Sequence, residues 1–207
     1  MSKIITINSL KGGVSKSTIA INLYYYLSGE DNVCGLIDAD PQGSLTEELS
    51  DREDVPLLSR EQIADWQAIR DNSDGDYIVI DTAPTRDPNE TLAILEISDF
   101  VLIPCKASIF DIRALRKTIG LVQEAQKANP GLKGAIMLTQ GKANTTIHDQ
   151  LRQAVEDYGL PVLAAEMLNR VDYQGSLSET EGIFSTRNSK AQNEIKSMAI
   201  EIKNLLN

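Results

Sequence analysis

The sequence predicts an α/β fold in a single domain, residues 1–207, with a mostly parallel central sheet flanked by helices on both faces. Three observations predict it. Apolar runs of strand length alternate along the chain with segments of helical period. One run, Tyr77–Ile80, is close to continuously apolar, as a strand buried on both faces must be. Finally, two of the runs end at acidic residues, Asp38 and Asp81, and in open α/β sheets ligands bind at the C-terminal strand ends.

Taken in order, Ile4–Ile7 is a strand that ends in a polar, glycine-containing turn. Ser17–Leu27 carries Ile19, Leu23 and Leu27 at helical spacing, and Ser28-Gly29 ends it. Val33–Ile37 is a second strand, closing on Asp38-Ala39-Asp40-Pro41-Gln42-Gly43, and Ser44–Leu49 reads as a short helix. Asp51–Pro56 is an acidic loop, and Arg60–Asn72 reads as a helix around Ile63, Trp66 and Ile69, with Trp66 in core or interface packing. Tyr77–Ile80 then ends at Asp81. Asn89–Ile97 is a helix, and Phe100–Ile103 a strand closed by Pro104. Ser108–Ala128 is a long helix with Ile109, Ile112, Leu115, Ile119 and Val122 on one face, stopped by Asn129-Pro130-Gly131. Gly134–Leu138 is a strand, Thr145–Tyr158 a helix and Pro161–Ala164 a short strand. Leu168–Thr186 is polar and irregular. Ser189–Leu206 is a closing helix with Ile195, Met198, Ile202 and Leu205 facing inward.

With 207 residues, 42% of them hydrophobic, the chain can bury a sizeable core. The net charge of −10 is unevenly spread. Residues 1–100 hold 7 basic and 19 acidic residues, whereas residues 101–207 hold 13 and 11. An acidic chain is a poor generic nucleic-acid binder, so any DNA contact is expected from a local patch in the second half. No apolar run approaches the length of a membrane span, and no signal sequence opens the chain, which argues for a cytoplasmic protein. The cysteines, Cys34 and Cys105, lie at or near predicted strand ends and read as buried, reduced thiols.

Chemistry concentrates in Ile4–Thr18, IITINSLKGGVSKST. Strand, Gly-rich turn and helix N-terminus are the parts of a phosphate-binding loop, whose backbone N–H groups and helix dipole favour an anion. Lys16 would reach the β- and γ-phosphates, and the Ser17 hydroxyl would sit on Mg²⁺. The strict loop pattern wants glycine at 10 and 15, where this chain has Leu10 and Ser15. A second lysine, Lys11, stands just before Gly12-Gly13. Asp38 and Asp40 leave the second strand beside the loop, where two carboxylates can hold Mg²⁺ waters and position an attacking water; Asp40 before Pro41 also reads as a helix N-cap. IVIDTAP at 78–84 ends a buried strand in Asp81, which can accept from Mg²⁺-bound water near the Ser17 hydroxyl.

KGGVSKST resembles the deviant Walker A box of the ParA/MinD family of ATPases, departing from it only at Ser15. DADPQGS resembles the family's switch I box, and IVIDTAP stands where its switch II begins. The similarity runs from Lys3 to the last helix and is nearest to the short ParA-type (ParF-like) plasmid partition ATPases. It implies a P-loop NTPase fold and ATP and Mg²⁺ as cofactors, with Lys11, Gly12, Gly13, Val14, Ser15, Lys16, Ser17 and Thr18 around the nucleotide. It further implies that Asp40 polarises the attacking water, that Asp38 supports the metal shell, that Asp81 is the Walker B residue, and that Lys11 reaches a partner's phosphates across an ATP-dependent homodimer. If position 15 needs φ > 0, serine there is strained, and glycine would tighten nucleotide binding by up to about 1 kcal/mol.

What the resemblance implies functionally is a plasmid or mobile-element partition ATPase. Its ATP-bound dimer would bind DNA without sequence preference, and a ParB-type centromere-binding protein would stimulate hydrolysis. The loop's early start leaves no room for an N-terminal helix-turn-helix domain, and no basic amphipathic tail of the membrane-anchoring kind follows the last helix. Arg170, in LNRVDYQGS, resembles a family segment whose basic residues serve DNA contact and the nucleotide-site edge; it also reads as a surface arginine. His148 reads as a surface or capping residue. Two other readings stand beside partition: an ATPase of the same fold that positions a protein cargo, and an ATP-dependent ligase of the dethiobiotin synthetase type.

Overall fold

The computed structural model describes residues 1–29, 31–84, 87–106, 108, 112–141, 152–156, 158–177 and 179–207. Among these residues, seven parallel strands form one sheet in the order β3-β2-β4-β1-β5-β6-β7. They are β1 Lys3–Ile7, β2 Cys34–Ala39, β3 Leu57–Ser59, β4 Tyr77–Thr82, β5 Phe100–Lys106, β6 Lys133–Gly141 and β7 Met167–Leu168. Helices α1 Lys16–Ser28, α2 Ser44–Glu48, α3 Trp66–Asn72, α4 Pro88–Glu96, α5 Ile112–Ala128, α6 Asp172–Gly175 and α7 Ser189–Leu206 connect or follow them.

Alternation along the strands puts helices on both faces. Ile5 and Ile7, Leu36, Val79, Phe100 and Leu102, and Ala135 and Met137 pack with α1 and α7. Their neighbours in sequence turn the other way. Val101, Ile103, Ile136 and Leu138 meet α5, and Ile4, Ile37 and Ile80 meet Trp66, Ile94 and Ile97 of the α3–α4 layer. Both cysteines are buried; burial pushes the Cys34 thiol up to about 12.

The structure differs from the sequence reading in four places. Pro104 does not close β5; it pairs in register with Met137. Leu102 accepts from Asn8 on the β1 side, and residue 104 faces that same side just beyond the end of β1, so the missing N–H breaks no ladder bond. The predicted helix Arg60–Asn72 is a single 3-10 turn, Arg60–Gln62, followed by α3, preceded by the unanticipated strand β3. Pro161–Ala164 reduces to one parallel bridge, Val162 to Ile136. The irregular stretch contains Leu168 of β7, then α6 and a 3-10 turn at Gly182–Ser185. Of the predicted helix Thr145–Tyr158, residues 152–156 are helical; its start, including His148, and Ile109 of the long helix lie outside the described residues.

One buried side chain joins the later part of the irregular stretch to α1. Asn22, fully buried in α1, donates to Thr18 O (2.7 Å) and Ser176 Oγ (3.1 Å) and accepts from Ile183 N (2.6 Å). Two of these three bonds tie Ser176 and Ile183 to the helix that leaves the phosphate loop. Asn22→Ala leaves the Ile183 N–H buried without an acceptor. It is therefore expected to destabilise the protein by about 2–3 kcal/mol, measured by urea unfolding; a loss below about 0.5 kcal/mol would show that the segment is held by other contacts.

Candidate nucleotide site

The loop between β1 and α1 is shaped by two left-handed residues, Gly13 (φ 71°) and Ser15 (φ 71°, ψ 27°). Glycine takes this conformation freely and serine does not, so the expected strain at position 15 is present. Ser15 O accepts from Ile19 N (2.9 Å), the first bond of α1, while its side chain makes no cap. The Ser15 hydroxyl faces β6 instead: Gln140 Nε2 lies 3.0 Å from Ser15 Oγ and 2.7 Å from Gly13 O. Thr139 Oγ1 adds a bond to Val14 O (3.3 Å).

The following residues enter the site from the start of α1. Lys16 is buried, and its Nζ lies 3.5 Å from Lys11 O. Burial lowers its pKa against the opposing pull of Asp81 and Asp40. Ser17 Oγ donates to Asp81 Oδ2 at 2.5 Å. Sheet register brings the acids together, since Ile7 lies beside Asp81 and Asp81 beside Asp38. Burial raises the Asp81 carboxyl to about 7; the Ser17 hydroxyl and Lys16 pull it down, and Asp38 and Asp40 push it further up. Asp81 Oδ1 is buried with no hydrogen-bond partner among the described residues. A hydroxyl bonded to a carboxylate whose other oxygen is orphaned is a donor set that fits Mg²⁺.

Asp38 is also fully buried, but both its oxygens are engaged. Oδ1 accepts from Asp40 N (3.1 Å), and Oδ2 accepts from Thr46 N (2.9 Å) and Thr46 Oγ1 (3.0 Å). It braces the DPQG turn against the start of α2. Asp40 caps that turn rather than a helix: Oδ1 accepts from Gln42 N (2.9 Å), and Gly43, at φ 64°, precedes α2. Thr46 was missed in the sequence, where a threonine in a short helix carries no signal.

Lys11 and Gly12 are exposed at the mouth of the loop, and Gly12 is adjacent to Pro84 of the predicted switch II. Thr18 and Val14 flank the loop on its inner side, Val14 buried. Beside it lies a cleft of about 310 Å³, lined by Gly13, Ser15, Thr18, Gln140, Arg170 and Tyr173 among others. Arg170 Nε donates to Glu194 of α7 at 2.9 Å, and Tyr173 Oη donates to the same carboxylate at 2.8 Å. Arg170 is thus committed to the wall of this cleft.

The chain matches the model of the CobQ/CobB/MinD/ParA nucleotide binding domain over residues 5–183. It is 31% identical over 206 residues to maintenance of carboxysome distribution protein A of Halothiobacillus neapolitanus, covering 96% of this chain and 95% of that protein. It is 29% identical over 204 residues to the chromosome partitioning protein ParA of Myxococcus xanthus, covering 75% and 71%. Among solved structures, a candidate plasmid partition protein from Borrelia burgdorferi bound to AMPPNP superposes with a TM-score of 0.77 at 25% identity, covering 99% of each chain.

A carboxyl raised by burial is a stability cost of the ligand-free protein. Because the folded-state value lies above that of the unfolded chain, the contribution of Asp81 to stability falls as pH rises from about 4 to 7. Asp81→Asn removes the buried charge. Its melting temperature without nucleotide or metal is expected to exceed wild type at pH 8, with a smaller gap at pH 5, where the wild-type carboxyl is already neutral. An equal difference at both pH values would show that Asp81 carries no such penalty.

Proposed function

Since the chain belongs to the CobQ/CobB/MinD/ParA nucleotide-binding domain family, we propose that it is a Mg-ATP-dependent, dimerising ATPase that positions a large cargo over DNA. The observation that carries this reading is the buried Lys16–Ser17–Asp81 cluster at the phosphate loop, with its orphaned carboxylate oxygen.

In this reading the loop N–H groups and Lys16 hold the phosphates of ATP, and Ser17 and Asp81 hold Mg²⁺. The metal would supply charge neutralisation on the phosphate oxygens. Asp40 orients the attacking water. Asp38, with both oxygens engaged by Asp40 N and Thr46, holds the turn that carries Asp40. Arg170, bonded to Glu194 at the cleft wall, serves the nucleotide-site edge rather than DNA. DNA contacts then fall to other basic residues of 101–207; they are non-specific and weaken steeply with salt.

Lys11, exposed in front of the loop, is assigned to the partner's nucleotide. Two protomers facing each other across their loops would each donate one such lysine in an isologous dimer, with ATP inside the interface. Lys16→Ala is expected to lose nucleotide binding. Lys11→Ala should bind ATP as wild type does yet lose ATP-dependent dimerisation and hydrolysis together. Light scattering with a slowly hydrolysed analogue checks this, and a Lys11→Ala protein that still dimerises would sink the assignment in trans.

The cargo is the finer question. The end-to-end match to a carboxysome distribution protein favours a protein assembly as cargo; the likeness to a plasmid partition structure supports the second reading, plasmid segregation with a ParB-type partner. Introducing Lys16→Ala in the host genome separates them. Mispositioned protein bodies with normal plasmid retention are expected. Loss of a plasmid at each division, with no change in protein bodies, would make partition the function. ATP hydrolysis without any small-molecule co-substrate separates both from a ligase.

A further inference from the structure

Among the described residues, three non-glycine residues have positive φ: Ser15, Asp31 and Gln140. Two of them touch each other. Gln140, at φ 54° in β6, bonds Ser15 across 125 positions of sequence. A strained residue persists where surrounding contacts over-determine it, and here two strained residues share a hydrogen bond beside the phosphate loop.

The Gln140 Nε2 amide has two hydrogens, and both have acceptors: Gly13 O at 2.7 Å and Ser15 Oγ at 3.0 Å. The preceding residue, Thr139, bonds Val14 O at 3.3 Å. Consecutive residues of β6 therefore hold the consecutive carbonyls of Gly13 and Val14. In a trans peptide the C=O and the following N–H point in opposite directions. Holding Gly13 O toward β6 turns the Val14 N–H away from it, and holding Val14 O does the same to the Ser15 N–H. Both N–H groups are thereby turned off β6, and loop N–H groups are what such a site offers an anion. Because Ser15 Oγ accepts from Gln140, its own hydroxyl hydrogen is left to donate elsewhere.

We infer that Gln140 is a positioning residue for the phosphate loop, aiming its N–H donors by bonding Gly13 O and the Ser15 hydroxyl from the end of β6. The bond to Ser15 compensates for a serine where glycine would adopt the left-handed conformation unaided. Gln140 acts through the loop and through the polyphosphate, not through the rest of the nucleotide. The inference rests on the nucleotide reading of this site.

The test uses two probes, ATP and inorganic tripolyphosphate, which has phosphates and no base. Calorimetry with purified full-length protein should show Gln140→Ala weakening both by a similar factor, about tenfold, with the melting temperature unchanged. In a Ser15→Gly background, where one of the two acceptors is gone and the backbone needs no help, the loss should shrink to about threefold or less. Gln140→Met keeps the side-chain volume without an N–H and should behave as Gln140→Ala; it replaces that variant if the smaller side chain unfolds the protein. Weaker ATP binding with unchanged tripolyphosphate binding would overturn the inference in favour of a contact to the base. Unchanged affinity for both would overturn it outright. Wild-type protein that binds neither probe would overturn the nucleotide reading itself.

Discussion

The structure depends on bringing Ser17 and Asp81 within 2.5 Å of each other at one edge of a parallel sheet. One residue opens a helix and the other closes a strand, 64 positions apart. Their meeting requires β1 and β4 to be neighbours in register, with Ile7 beside Asp81, so that the chain leaving β1 turns over the end of β4. The same requirement sets β2 on the far side of β4 and Asp38 next to Asp81. Parallel neighbours need crossover helices, and those helices supply the two apolar layers that bury the sheet. Architecture and site are thus consequences of one register.

That register sets electrostatic conflict into the fold. Asp81 is buried, has one oxygen without a partner among the described residues, and lies near two further carboxylates; Lys16 is buried with it. Each departs from its ordinary ionisation in the direction that burial dictates. A protein selected only for stability would not keep such a cluster, since taking charged groups out of water costs several kcal/mol per ion. The Ser15–Gln140 contact is a second conflict of the same kind, in backbone rather than charge. Both conflicts lie at the loop, against a core whose largest fully buried side chains are apolar.

What could be read along the chain was whatever has a local cause. The loop was legible because lysines and glycines at short spacing have one good use between a strand and a helix, and its left-handed residue 15 was legible from the glycine it replaces. The strands around Ile5, Ile37 and Ile80 were legible because burial on both faces demands near-continuous apolar runs. Elements whose cause is tertiary were not. β3 is three half-exposed residues that become a strand only by pairing with β2. The 168–186 stretch looked irregular because partners that order it, Asn22 of α1 and Glu194 of α7, sit in other helices. Pro104 looked like a strand end because the sequence cannot say that β1 has already turned away at that level.

By itself, then, the sequence determined the fold class, the identity of the phosphate loop and the acids that accompany it, since composition and spacing within about ten residues suffice for each. Tertiary structure alone decided how those acids are bonded. Asp38 and Asp81 end neighbouring strands in matching positions, yet Asp38 has both oxygens bonded by Thr46 and Asp40 while Asp81 keeps one oxygen open beside Ser17. The difference comes from where α2 returns against β2. It also decided that Thr139 and Gln140 reach the loop from β6, and that Arg170 bonds Glu194. Such contacts join residues that no local period relates, because the physical cause is the packing of distant elements on one sheet.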